Sequence, residues 1–139
     1  MSVKGLDHIG IAVNSIDEAL KHYVNNLGMR LIYREALEDR GIYVAFLKGE
    51  SYNETSIELL EPINKDDMNN TIAKFLKTRG QGLHHIAFAV TNIENELRKM
   101  EIEGYQLIDK TPRIGAMNRL TAFIHPKSFM GVLIELVQT

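Results

Sequence analysis

Two histidines and two glutamates carry the chemistry that this sequence offers. His8 and His85 lie 77 residues apart (85 − 8), and Glu58 and Glu135 lie 77 apart as well (135 − 58). Each sits in a repeated apolar frame. "LDHIGIAV" at 6–13 returns as "LHHIAFAV" at 83–90, and "SIELLEP" at 56–62 returns as "LIELVQT" at 133–139. A glutamate flanked by Ile57 and Leu59, or by Ile134 and Leu136, should not face hydrocarbon alone, because burying a bare carboxylate is very costly. It needs a cation. Two imidazoles and two carboxylates make a nitrogen and oxygen set for one divalent metal ion. Mixed ligands of this kind suit Co, Mn, Zn or Ni better than Ca. A single histidine at a strand end is ordinarily solvated, and a single strand glutamate ordinarily faces water. The offset shared by all four is what points to a metal.

The elements that must position these residues repeat too. Residues 1–60 and 81–139 read as copies, with "AFL" (45–47) falling on "AFI" (122–124) at the same shift and "LGMRLI" (27–32) falling on "EGYQLI" (103–108) at 76. Such duplication predicts a pseudo-twofold axis across which equivalent positions face each other. Each copy opens with an alternating run, as a strand does. A helical pattern follows, with Ile16, Ala19, Leu20, Tyr23, Val24 and Leu27 in one copy and Ile93, Leu97 and Met100 in the other. Ser15 with Glu18, and Thr91 with Glu94, are the expected caps, and Gly28 and Gly104 the expected stops. Three strand-like runs come next, near 29–36, 41–48 and 55–60, then near 105–110, 119–125 and 131–138. A connecting helix over about 66–78, with Met68, Ile72, Phe75 and Leu76 on one face and Gly80 as its stop, joins the copies.

Strand side chains alternate faces. His8 therefore shares a face with Leu6, Gly10 and Ala12, and His85 shares one with Ala87 and Ala89. Small neighbours leave room beside an imidazole. His84 falls on the opposite, bulky face and reads as structural. His22 reads as a solvated helix residue. His125, before a proline, suits a turn and could also touch a ligand.

The bulk numbers bound the rest. A chain of 139 residues, 45% hydrophobic and 24% charged, is one globular domain, 1–139. Net charge is −2 with no basic stripe, so a nucleic-acid partner is not expected. No run approaches the roughly 20 apolar residues of a membrane span, so no membrane partner is expected. The opening "MSVKGLDHIG" lacks the apolar core of a signal peptide. The absence of cysteine excludes disulfides and thiolate metal sites and fits a cytoplasmic location.

Taken together, "LDHIGIAV", "YVAFLKG…SIELLEP", "GLHHIAFAV", "IGAMNRL" and "FIHPKSFMGVLIELVQ" resemble the vicinal oxygen chelate (glyoxalase/bleomycin resistance/dioxygenase) superfamily over the whole chain. Within it the sequence is most similar to the methylmalonyl-CoA epimerases. The resemblance implies an α+β fold: two β-α-β-β-β modules forming a cupped eight-stranded mixed sheet around one metal ion. It implies His8, Glu58, His85 and Glu135 as the ligands. It also implies a homodimer and an isomerase acting on a small-molecule acyl-CoA, inverting the α-carbon by metal-assisted proton abstraction through an enolate. Two departures stand out. Many members carry Gln where this chain has Glu58, and many bacterial members place a catalytic glutamate where this chain has Val44. Glu58 is the expected substitute, with Glu135 as the opposing catalytic carboxylate. Glu38 and Asp39 are alternatives. A carboxylate bound to a metal is a weaker base, which argues against giving one residue both duties. Lys127 and Arg119 are the expected coenzyme A contacts.

Three rival readings remain. A glyoxalase-type enzyme would use a similar ligand set on a different thiol adduct. An extradiol dioxygenase would need open iron positions that a fourth ligand closes. A binding protein without metal would favour apolar residues at the four polar positions. A Gly-rich phosphate cradle is missing, so a P-loop or Rossmann reading has no support.

Overall fold

A computed structural model describes residues 3–51 and 55–139. The fold is α+β, with β-α-β-β-β occurring twice. The elements are β1 (Val3–Ala12), α1 (Ile16–Leu20), β2 (Arg30–Leu37), β3 (Ile42–Lys48), β4 (Ser56–Pro62), α2 (Thr71–Arg79), β5 (Gly82–Val90), α3 (Ile93–Ile102), β6 (Arg113–Ile114), β7 (Leu120–Ile124) and β8 (Ile134–Gln138). Helix α1 continues as a wider π-type winding over Lys21–Asn26. The chain divides into two compact units. One is Ile9–His84, and the other joins the segment ending at His8 to His85–Thr139.

In the unit Ile9–His84 the strands run β2-β3-β4-β1, with β2 and β4 antiparallel to β3. Alternation sorts the side chains. Ala45, Leu47 and Leu59 pack with Val13, Ile16 and Ala19 against α1. Val44, Phe46, Glu58 and Leu60 take the other face and are all buried. Two acceptors start α1: Ser15 Oγ takes the Glu18 amide at 3.1 Å, and Glu61 Oε1 takes the Ile16 amide at 2.7 Å.

The connecting helix is shorter than its sequence pattern. Asn64 and Asp67 accept from the amides of Asp66 and Asn69, so local side-chain bonds hold this stretch in turns. The helix therefore starts at Thr71, and Met68 lies outside it. Asn70 caps α2 by accepting from the amides of Ile72 and Ala73. Its amide group also donates to the carbonyls of Arg40 and Gly41, at 3.0 and 3.1 Å. Gly41 has φ 65°, and a Cβ there would come within 2.8 Å of Asn70 Nδ2.

In the other unit the order is β1-β5-β8-β7-β6. β5 is parallel to β8, and β7 is antiparallel to both β8 and β6. The core holds Val90, Ile93, Leu97, Ala122, Ile124, Ile134 and Leu136. Asn92, not Thr91, caps α3, accepting from the Asn95 amide at 3.1 Å. Asn92 is 77 residues after Ser15, so the repeat itself marks the cap. Gln138 Oε1 takes the Ile93 amide at 3.0 Å, as Glu61 does for Ile16. The strand expected near 105–110 is absent. Leu107 makes a single bridge to Ile124, and the Asp109 carboxylate takes the Phe123 amide at 2.8 Å, which occupies the ladder. Pro112 then delays pairing until the two-residue β6.

No helix among the described residues is long and apolar enough to cross a membrane. The acceptors on Ile16 and Ile93 predict a stability effect. Glu61→Ala and Gln138→Ala should each lower unfolding free energy by about 1 kcal/mol, measured by urea denaturation.

Candidate metal centre

His8 on β1, His85 on β5 and Glu135 on β8 converge within one unit. Their exposures are 2%, 5% and 5%, so water does not solvate these polar groups. His8 Nε2 lies 3.1 Å from His85 Nε2, and Glu135 Oε1 lies 3.0 Å from the first and 3.1 Å from the second. The three atoms thus form a nearly equilateral triangle.

Strand geometry produces this convergence. Glu135 stands opposite Ala87 on parallel β5 and opposite Phe123 on antiparallel β7. Fully buried Ala87 leaves space, while Phe123 lies edge-on to His85 with ring centres 5.4 Å apart. The His8 and His85 rings are nearly perpendicular, at 85°.

The donor set fits a divalent ion. Asp7 Oδ2 lies 2.7 Å from His8 Nδ1, which places the ring proton there and leaves a lone pair on Nε2. Glu135 Oε1 is buried with no hydrogen bond of good geometry, despite two imidazole nitrogens beside it. Electron-rich atoms facing each other this closely call for a shared positive charge. For metal–ligand bonds of about 2.1 Å, right-angled ligands stand about 3.0 Å apart and tetrahedral ones about 3.4 Å apart. The edges of the triangle match the right-angled case. Burial alone would push the Glu135 carboxyl up; without an ion, protonated His8 and His85 rings outweigh it and hold the group below the ordinary carboxylate range, supplying the positive charge that a bound ion would replace.

Asp7 is the functional residue that the sequence reading missed. Alternation sends neighbours on a strand to opposite faces, so the strand pattern does not bring an acid at position 7 to the His8 ring. Yet it contacts the ring, and Arg119 grips its other side, with Nη1–Oδ1 at 2.9 Å and Nη2–Oδ2 at 3.0 Å. Burial pushes the Asp7 carboxyl up. The hydrogen bonds and charges of His8 and Arg119 outweigh that and hold it at about 2.

The other expected residues lie as follows. Glu58 is buried on β4 in the unit Ile9–His84, opposite Phe46, just as Glu135 stands opposite Phe123. Val44 is fully buried on β3. Glu38 and Asp39 are exposed in the turn before it. Lys127 is exposed, whereas Arg119 has both terminal nitrogens on Asp7. His84 packs edge-on against Phe75 of α2, with ring centres 5.0 Å apart. His22 is exposed. His125 caps the turn Pro126–Phe129, its Nδ1 accepting from the Lys127 amide at 3.0 Å.

Sequence and fold agree on the class. The chain belongs to the glyoxalase/bleomycin resistance protein/dioxygenase superfamily, which it matches over residues 7–123. It is 41% identical to the uncharacterized protein YqjC of Bacillus subtilis strain 168, over 96% of this chain and 91% of that one. The crystal structure of methylmalonyl-CoA epimerase from Mycobacterium tuberculosis is similar at 40% identity and a TM-score of 0.90, covering 98% of this chain and 88% of that one. Human mitochondrial methylmalonyl-CoA epimerase is 34% identical, over 96% of this chain and 73% of the human one.

Asp7 gives a stability prediction for the metal-free protein. Its folded pKa lies below its ordinary value of 3.8, so its contribution is present above pH 3.8 and lost as pH falls through about 2. Asp7→Asn should therefore cost about 1–2 kcal/mol near pH 7, and the two proteins should converge below pH 2 in acid unfolding followed by circular dichroism.

Proposed function

We propose that this chain is a methylmalonyl-CoA epimerase, interconverting the 2R and 2S epimers through an enolate. The observation that carries the reading is the buried triangle of His8, His85 and Glu135, a donor set that fits a divalent ion. Relatives named for this epimerase, matched over nearly the whole chain, support the substrate. In the proposed centre Glu58 is the fourth ligand. The exact repeat spacing supports it, as do its burial and its register opposite Phe46.

An α-carbon between a thioester and a carboxylate is a weak carbon acid. The bound ion, of the Co, Mn, Zn or Ni kind, would supply charge stabilisation for the oxyanion that forms when this carbon loses its proton. The protein must then take a proton from one face and return it to the other. With Val44 where a carboxylate would otherwise stand, Glu58 and Glu135 are the proposed proton carriers. They are matched residues on the last strands of the two halves. Of the two, Glu58 is the stronger candidate base, because Glu135 Oε1 is committed to the centre between both imidazoles, and in that role Glu58 acts with its ligation loosened, since a metal-bound carboxylate is a weaker base. Lys127, exposed in the turn Pro126–Phe129, is the proposed contact for the coenzyme A phosphates. Arg119, the other expected contact, has its terminal nitrogens on Asp7.

The same reading makes residues 1–60 and 81–139 duplicated modules of one domain. The matched acceptors Glu61 and Gln138 support it. A homodimer is supported by β2, an outer strand of its sheet on which Leu31 and Ile32 are exposed. A cytoplasmic setting is supported by the absence of cysteine.

Proton NMR of methylmalonyl-CoA in D₂O tests the activity. The metal-loaded protein should exchange the α-proton signal without net consumption of substrate, and a chelator should abolish the exchange. No exchange with Co, Mn, Zn or Ni would overturn the epimerase reading. Glu58→Gln should keep the metal, by calorimetric titration, and slow exchange about 10²–10⁴-fold. Unchanged exchange would exclude Glu58 as a base.

A further inference from the structure

We infer that Asp7 and Arg119 form a positioning device for His8, so that Arg119 acts through a metal ligand rather than on the substrate. This rests on the metal reading above and adds two residues to it.

The contacts form a directed chain. The Arg119 guanidinium meets both oxygens of Asp7, at 2.9 and 3.0 Å, in the forked geometry that only arginine offers. One of those oxygens takes the His8 ring proton at 2.7 Å. The fork fixes the plane of the carboxylate, the carboxylate fixes the tautomer and tilt of the ring, and the lone pair on Nε2 is thereby aimed at His85 and Glu135. Each link is desolvated. The side chains of His8, Asp7 and Arg119 are 3%, 16% and 23% exposed. Arg119 Nε is buried without a partner, so Asp7 carries the guanidinium's contacts.

The backbone accepts strain to deliver Arg119. Met117 and Asn118 both take left-handed conformations, at φ 57° and 58°, immediately before it. Such conformations are disfavoured for a residue with a β-carbon and persist where surrounding contacts hold them. Gly115 and Arg119 close the turn with an amide-to-carbonyl bond of 2.8 Å. The turn is the segment "GAMN" of the motif "IGAMNRL".

The device breaks the repeat. The positions equivalent to Asp7 and Arg119, 77 residues away, are His84 and Ile42. His84 packs on Phe75, and Ile42 is buried and apolar. The repeat positions behind His85 thus supply neither a carboxylate nor a guanidinium. A pair that merely fastened strands would not need the fork, the ring contact and the strained turn together.

Cobalt(II) binding tests the inference. Wild type, Asp7→Asn, Arg119→Gln and Arg119→Lys are titrated with Co²⁺ by calorimetry, visible spectra of the adducts are recorded, and the metal-free proteins are melted. Asp7→Asn and Arg119→Gln should bind Co²⁺ about 10–100-fold more weakly, with shifted absorption. Arg119→Lys keeps the charge without the fork, so it should fold yet recover only part of the affinity. It carries the test if Arg119→Gln fails to fold. Unchanged affinity and spectra beside lowered melting temperatures would make the pair merely structural and overturn the inference. Failure of the wild type to take up Co²⁺ would instead overturn the metal reading beneath it.

Discussion

Three electron-rich atoms held about 3 Å apart out of water are the constraint on which the rest of this structure depends. Left alone, such a triangle is unfavourable, since each group has lost its hydration and meets another lone pair. The fold tolerates it because the strands are stiff. Glu135 is pinned between Ala87 and Phe123 by register, and His85 is pinned by the edge of the Phe123 ring. The apolar face of the same strands, with Ile134, Leu136 and Val90 packed under α3, supplies the burial that holds the ladder in place. Side-chain alternation thus lets one strand serve the core on one face and the His/Glu cluster on the other.

Most of the fold was legible because two periodicities do not interfere. Alternating runs marked the strands, and i, i+3, i+4 spacing marked the helices. The readings failed where a polar side chain replaced a backbone partner. Asn64 and Asp67 hold residues before α2 in turns, although the apolar spacing continues through Met68. The Asp109 carboxylate takes a ladder amide, although 105–110 reads as a strand-like run. Neither substitution is visible in hydrophobicity, because both depend on which distant amide lies within reach. The repeat was more informative than local pattern at the α3 cap, where equivalence to Ser15 selects Asn92 over Thr91.

For the centre, the 77-residue offset was sufficient to pick out four buried polar residues from a chain rich in exposed acids. What it could not supply was the support around them. Asp7 lies outside any repeated pattern, because its counterpart is His84, and Arg119 is brought to it by a turn whose geometry composition does not announce. Sequence symmetry finds what two halves share. The residues that make one half different from the other become visible only once the chain is folded.

The contact between Gly41 and Asn70 carries a further consequence. A single amide starts α2 and also ties down the carbonyls that lead into β3. Any side chain at position 41 would intrude on that amide. A side chain at 41 would push the Asn70 amide away from the two carbonyls it holds. The turn before β3 and the start of α2 thus share one side chain, across a sequence separation of 29.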